Sequence, residues 1–170
     1  MNSKRFLFLL AWLCLCGWSP ADTKSETFIE ASLGQLPVKQ ALKLKGEVAQ
    51  AVRSVYGGRY PALSIPYWQQ AGKRVWILKA RGKHGYVHAG FVVEEGRLIK
   101  TEVLAFKEQR GKFINTSRFL RQFTGVGLKK NGQLDRRIDG YSGATLSVNS
   151  MKKMARLALL LDSLVPADSD

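Results

Sequence analysis

Residues 85–106 read Gly85-Tyr-Val-His-Ala-Gly-Phe-Val-Val-Glu94, then Glu95-Gly96, then Arg97-Leu-Ile-Lys-Thr-Glu-Val-Leu-Ala-Phe106. Two runs rich in β-branched and aromatic residues flank a Glu-Gly pair. Such residues fit a pleated surface, and a two-residue link ending in glycine suits a tight hairpin. The stretch predicts two antiparallel strands, 85–94 and 97–106. On the second, Ile99, Thr101, Val103 and Ala105 recur at a period of two and are expected to share one face. Upstream, Val75-Trp-Ile-Leu-Lys-Ala80 predicts another strand. Downstream the period changes. Over 147–165, Met151, Met154, Ala155, Ala158, Leu161 and Leu164/Val165 fall at helical spacing, with Lys152, Lys153 and Arg156 between them. This predicts an amphipathic helix, apolar stripe inward and cations outward.

The flanking chain is read from the same signals. Val38, Ala41, Leu42, Val48, Ala49, Val52 and Val55 predict a helix over 38–56, weakened at Gly46 and stopped by Gly57-Gly58. Pro61 and Pro66 keep the next stretch extended or turned. Asn115-Thr116-Ser117 reads as a helix cap before Phe119, Leu120 and Phe123. Residues 125–137 read as a polar loop around Asn131-Gly132. Residues 22–35 are polar and read as a flexible lead-in, and 167–170 as a tail. The chain has 170 residues, 45% of them hydrophobic, which supports one core. The expected fold is a single α+β domain over 36–166, a small antiparallel sheet with N-terminal and C-terminal helices packed on it.

Residues 1–21 look different. Lys4 and Arg5 precede an unbroken apolar run from Phe6 to Cys16, and Ser19-Pro20-Ala21 places small residues at −3 and −1. This is the pattern of a secretory signal peptide cleaved after Ala21. The alternatives are a retained anchor and a lipoprotein. The run is short of the about 20 residues that span ~30 Å of hydrocarbon. Leu13 and Leu15 stand before Cys14 and Cys16, where a lipobox has a small residue. The chain's 2 cysteines both lie in this leader, so the exported protein has no disulfide, thiolate metal site or cysteine nucleophile. Redox chemistry then requires a bound cofactor.

The formal charge is +14; without Lys4 and Arg5 the balance is 25 basic against 13 acidic residues, a net +12. Export argues against nucleic acid as the partner. An anionic membrane surface, an acidic redox partner or a phosphorylated cofactor fits better. His84 and His88, four apart on a strand, stand about 13 Å from each other, which excludes a shared metal.

The stretch that carries chemistry is Asp139-Gly-Tyr-Ser142-Gly143-Ala144-Thr145-Leu146-Ser147, at the mouth of the last helix. Gly143 can adopt positive φ and admit a ligand to the backbone. Ser142, Thr145 and Ser147 offer hydroxyls. The helix that follows aims its N–H groups and positive dipole end at them, an arrangement suited to a phosphate. Plain N-capping by a hydroxyl residue accounts for the same residue types. Tyr141, Leu146, Phe106 and Phe113 are candidates for an apolar bed, or for core. Arg110, or Lys129 with Lys130, can offset negative charge, though exposed lysines are usually only solvated.

The segment resembles the flavinylation motif of the FMN-binding domain family, found in subunits of sodium-pumping NADH:quinone oxidoreductases and Rnf-type complexes. That pattern is Asp, two variable residues, Ser or Thr, Gly, Ala, then Ser or Thr. Asp139, Ser142, Gly143, Ala144 and Thr145 match in order. The resemblance runs over roughly residues 75–163 and takes in Val103-Leu-Ala-Phe-Lys-Glu108-Gln-Arg110-Gly111 and Phe119-Leu-Arg-Gln-Phe123. Where many members have Glu-Thr-Pro-Gly, this chain has Glu108-Gln109-Arg110-Gly111.

The resemblance implies FMN joined through its phosphate to Thr145. Ser142, Gly143, Ala144, Asp139, Leu146, Ser147, Glu108, Arg110 and Gly111 are the further cofactor-binding candidates. It implies a separate flavin transferase as maturation partner and redox proteins of the membrane or periplasm as electron partners. The expected protein is an exported electron carrier, with possible peripheral attachment to the membrane, rather than a stand-alone enzyme. An exported flavin-dependent reductase with its own small substrate and a basic, non-redox anion-binding module are the alternatives. No G-x-G-x-x-G nicotinamide fingerprint is evident, which leans towards the carrier.

Overall fold

A computed structural model describes residues 20–83, 85–107 and 109–166. The leader expected over 1–21 lies, up to residue 19, outside them, as do His84, Glu108 and the tail at 167–170. Among the described residues no helix is long and apolar enough to cross a membrane.

Five strands form one antiparallel meander in chain order: β1 (Gln40–Lys43), β2 (Ser64–Gln70), β3 (Lys73–Arg81), β4 (Tyr86–Glu94) and β5 (Arg97–Ala105). Two tight turns set its register. Ala71-Gly72 has φ of 49° and 76°, and Glu95-Gly96 has φ of 49° and 69°. Paired positive φ angles match the twist of the flanking strands. The expected 85–106 hairpin is therefore present, pairing Glu94 with Arg97.

The expected common face of β5 is not. The register against β4 shifts twice, between Val92 and Val93 and between His88 and Ala89. Each shift leaves one extra β5 residue, Ile99 and Leu104, and a bulge switches which side chains point to which face. Leu98 and Val103 thus enter the main core, whereas Ile99 and Leu104 face the other side of the sheet.

On the main-core side lie α2 (Gly46–Tyr56) and α4 (Thr145–Leu164), which pack on each other and on the sheet. Trp76, Leu78, Phe91 and Leu98 meet Val52, Met151, Met154, Ala158 and Leu161 there, all essentially inaccessible to solvent. Full burial of each large side chain contributes about 1.5–3 kcal/mol. On the opposite side α1 (Pro20–Leu33) lays Phe28 and Ile29 on Val75, Val92 and Leu104. The flexible lead-in expected at 22–35 is thus a docked helix. Its apolar stripe is only two or three residues wide, and tertiary packing, not pattern, holds it.

Two further expectations are corrected. The single helix expected over 38–56 is a strand followed by a helix. Lys45 is extended (φ −129°, ψ 156°) and Gly46 has φ of 52°, which starts α2 there. Residues 64–70, expected to be extended or turned, do form a strand that includes Pro66. The β2–β3 pairing begins at Tyr67, so the missing proline N–H interrupts no bond to β3. The cations of α4 are not fully outward either: Lys152, Lys153 and Arg156 are half-buried, because α2 and the 125–137 loop flank the helix. Lys153 lies over the Tyr56 ring at 5.0 Å and Arg156 Nε donates to the Gly132 carbonyl at 2.6 Å.

The connection from β5 back to α4 is a 3-10 helix (Gln109–Asn115), α3 (Ser117–Leu120) and a loop. Thr116 caps α3 as expected, accepting from the Phe119 N–H at 3.3 Å, and Phe119 and Phe123 are buried. The 125–137 loop is folded back on β5. Asp135 accepts from the Gly127 N–H at 3.0 Å and pairs with Arg97 at 3.1 Å. Those two contacts, the backbone N–H foremost, hold its carboxyl below the usual carboxylate range. At the far end, Arg74 of β3 meets Asp162 at 3.3 Å and donates to the Pro166 carbonyl at 2.7 Å, fixing the end of α4.

Candidate functional site

The Asp139–Thr145 segment is a short exposed loop pegged at both ends. Ile138 and Ala144 are buried at 2% and 4% exposure, and the residues between them are all exposed. Gln122 holds its start. Its amide oxygen accepts from the Asp139 N–H at 2.8 Å and its Nε2 donates to the Asp139 carbonyl at 3.4 Å. The loop then turns back, with the Ala144 N–H donating to the Tyr141 carbonyl at 3.0 Å. Gly143 has φ of 87°, and a Cβ built there meets nothing within 4 Å, so its face is open. Positive φ at this turn is where glycine is needed.

The helix begins one residue earlier than capping by Thr145 requires and two residues later than capping by Ser142 requires. Ala144 is the N-cap of α4, its methyl side chain makes no capping hydrogen bond, and the first turn has no acidic residue. Thr145 is the first helical residue and is exposed. The opening N–H groups of a helix have no acceptor within it, and the dipole places partial positive charge there. Plain N-capping by Ser142 or Thr145 does not describe this end. Below it, Ser150 Oγ donates to the Arg81 carbonyl at 2.8 Å and to the Leu146 carbonyl at 3.0 Å. The first turn is thereby tied to the end of β3.

Tyr141 and Leu146 flank the threonine at 62% and 55% exposure. Phe113, from the 3-10 helix, stacks on Tyr141 with ring centroids 5.0 Å apart and an interplanar angle of 25°. Phe113, Arg118, Gln122, Asp139 and Tyr141 line a cleft of about 440 Å³ beside the loop. Phe106 instead packs against the core.

The residues singled out from sequence therefore divide. Asp139, Ser142, Gly143, Thr145 and Leu146 stand together and exposed, with Ala144 as buried peg. Ser147, offered for its hydroxyl, is buried at 2% exposure. Arg110 and Gly111 lie in the same 3-10 helix as Phe113, which packs on α4. Lys129 and Lys130 are exposed. Asp139 Oδ1 meets Arg137 Nε at 3.4 Å on the surface. Gln122 was not legible: nothing in a lone glutamine seventeen residues upstream signals a clamp. Among the described residues no group of His, Cys, Asp and Glu can hold a metal. His88 sits mid-sheet between Lys79 and Ala105.

A helix mouth with alanine as its N-cap, an open glycine and an exposed hydroxyl residue beside exposed apolar side chains suit a phosphorylated aromatic group. The donor set fits an anion, and the aromatic stack of Phe113 and Tyr141 fits a flat ring. No match is found among curated proteins. Residues 82–160, from just past the end of β3 almost to the end of α4, match the family described as FMN-binding domain. Residues 82–160 thus carry the match to the FMN-binding domain family, which marks the protein as a flavin-binding one.

Proposed function

We propose that the protein carries FMN esterified through its phosphate to Thr145 and works as an exported electron carrier, exchanging electrons with redox proteins at the membrane. The observation that carries the reading is that Thr145, an exposed hydroxyl residue, opens α4 two residues after Gly143 at φ 87°, with Ala144 as the N-cap between them. A phosphoester there keeps its free oxygens beside the opening N–H groups while the bridging oxygen belongs to the side chain. Bound flavin supplies reversible transfer of one or two electrons. The chain's part is to hold it. The α4 mouth offsets the phosphate charge. Ser142 and the Gly143 turn shape the approach to Thr145. Tyr141 and Leu146 offer apolar surface without enclosing it, as exchange with a large partner requires.

Attachment requires a separate flavin transferase that delivers FMN from FAD. Export is supported by the leader pattern at 1–21 and by a cofactor that does not rely on cysteine. A covalent link also prevents loss of FMN where free flavin is scarce. The test is expression with a flavin transferase in the exported compartment, followed by acid denaturation. Yellow colour and flavin fluorescence that stay with the unfolded polypeptide are expected. Colour released into the supernatant contradicts a covalent link, and a colourless protein contradicts the carrier itself.

A further inference from the structure

Thr145, Asn149, Lys152, Lys153 and Arg156 stand at i, i+4, i+7, i+8 and i+11 of α4 and so share one face. At 1.5 Å per residue the stripe is about 16 Å long and starts at the exposed threonine. Opposite its lower part the 125–137 loop brings up Arg136 and Arg137, and a cleft of about 390 Å³ opens between loop and helix. Five cations line it and no carboxylate does. Arg137 is paired at the rim with Asp139. Lys153 and Arg156 are fixed by the Tyr56 ring and the Gly132 carbonyl, neither of which removes charge. Half-buried like charges repel one another and create a positive potential that an incoming anion relieves.

We propose that this cleft docks an acidic segment of a protein electron partner, placing it on the same helix face as the flavin carried by Thr145. The purpose assigned to the cleft rests on the carrier reading above; the binding itself does not. A row of carboxylates along the groove meets cations on both walls over several residues. A flat anionic bilayer meets the rim and not the floor, and a single phosphate engages only part of the row. The groove begins one turn below residue 145, so an occupant stands beside the flavin, where electron transfer needs it.

The experiment uses flavin-free protein and a fluorescein-labelled octaglutamate peptide, read by anisotropy. Saturable binding is expected at low salt, weakening roughly tenfold or more as sodium chloride rises past the ~0.1 M at which charges about 10 Å apart are screened. Arg136→Glu with Lys152→Glu is expected to weaken binding about tenfold or more, and Arg136→Gln with Lys152→Gln by a smaller factor in the same direction. Lys24→Glu with Lys39→Glu makes the same change in net charge outside the cleft. Lys24 lies on α1, across the sheet, and this control is expected to change binding less than about threefold. Unaltered circular dichroism shows that the variants fold.

Equal losses in the two charge-reversal variants overturn the proposal, because they mean that net charge alone attracts the peptide. So does tripolyphosphate that binds more tightly than the peptide and displaces it, or phosphatidylglycerol vesicles that bind in its place. A failed peptide titration leaves flavin attachment at Thr145 untouched. An unmodified Thr145 leaves a positive titration standing.

Discussion

Gly90→Ala tests how α1 is held. Gly90 of β4 lies under the Phe28 ring. A Cβ built on it falls closest to Phe28 Cε1, at 2.6 Å from Cδ1 and 2.9 Å from Cζ. Carbon atoms in contact prefer about 3.5–4.0 Å, so the ring must withdraw by roughly an ångström. It has little room to do so, since Phe28 is 2% exposed and wedged with Ile29 against Val75, Val92 and Leu104. Overpacking of this kind costs about 1–3 kcal/mol. The upper bound is loss of the ring's contacts altogether, about 3–5 kcal/mol. Because α1 is held by this small cluster, the strain is expected to lift the helix rather than distort the sheet.

The assay is urea unfolding together with hydrogen exchange over residues 20–33. Gly90→Ala should lower stability by about 1–3 kcal/mol and deprotect those amides. Phe28→Ala should be destabilising by about 3–5 kcal/mol alone, and adding Gly90→Ala to it should cost less than ~0.5 kcal/mol. A Gly90→Ala protein of unchanged stability with protected helix amides refutes this packing. Thr145 lies on the other side of the sheet, so flavin attachment should be unaffected in either variant.

Two further outcomes are expected. Gly143→Ala meets no atom within 4 Å, but its backbone sits at φ 87°. It should cost about 1–2 kcal/mol or reshape the turn, and lower flavin loading at full folding, read as flavin-to-protein absorbance ratio. His88 is held below the usual histidine value, first by burial and then by Lys79. The unfolded chain therefore binds more protons between that lowered value and about 6.5. Stability should fall as pH drops through this window, and His88→Gln should flatten the dependence in urea midpoints measured on either side of it.

Much of the fold was legible because local signals and tertiary packing agree. Strands 85–94 and 97–106, the Glu95-Gly96 turn, the Thr116 cap and the apolar stripe of α4 each follow from period or turn chemistry. The misreadings have physical causes. Val38, Ala41 and Leu42 fall at helical spacing by accident, and Gly46, read as a weak point, is where strand gives way to helix. In α1, among the described residues, Phe28, Ile29 and Leu33 are the apolar side chains that meet the sheet, too few to stand out from a polar segment. The β5 bulges at Ile99 and Leu104 leave no mark in composition. At the site, the order Asp139, Ser142, Gly143, Ala144, Thr145 was visible. That Ala144 is the N-cap of α4, that Ser147 is buried and that Gln122 clamps Asp139 depend on where the chain returns in space.

The central claim is the attachment point, and peptide mass spectrometry after co-expression with a flavin transferase tests it most directly. An FMN-sized adduct is expected on the peptide that contains Thr145, retained in part in Thr145→Ser and reduced in Ser142→Ala and Asp139→Ala. Thr145→Ala should carry no adduct yet unfold within about 1 kcal/mol of the parent, since Thr145 is exposed and Ala144, not Thr145, is the N-cap. An adduct that persists in Thr145→Ala, or that maps to Ser142 or Ser147, contradicts the account.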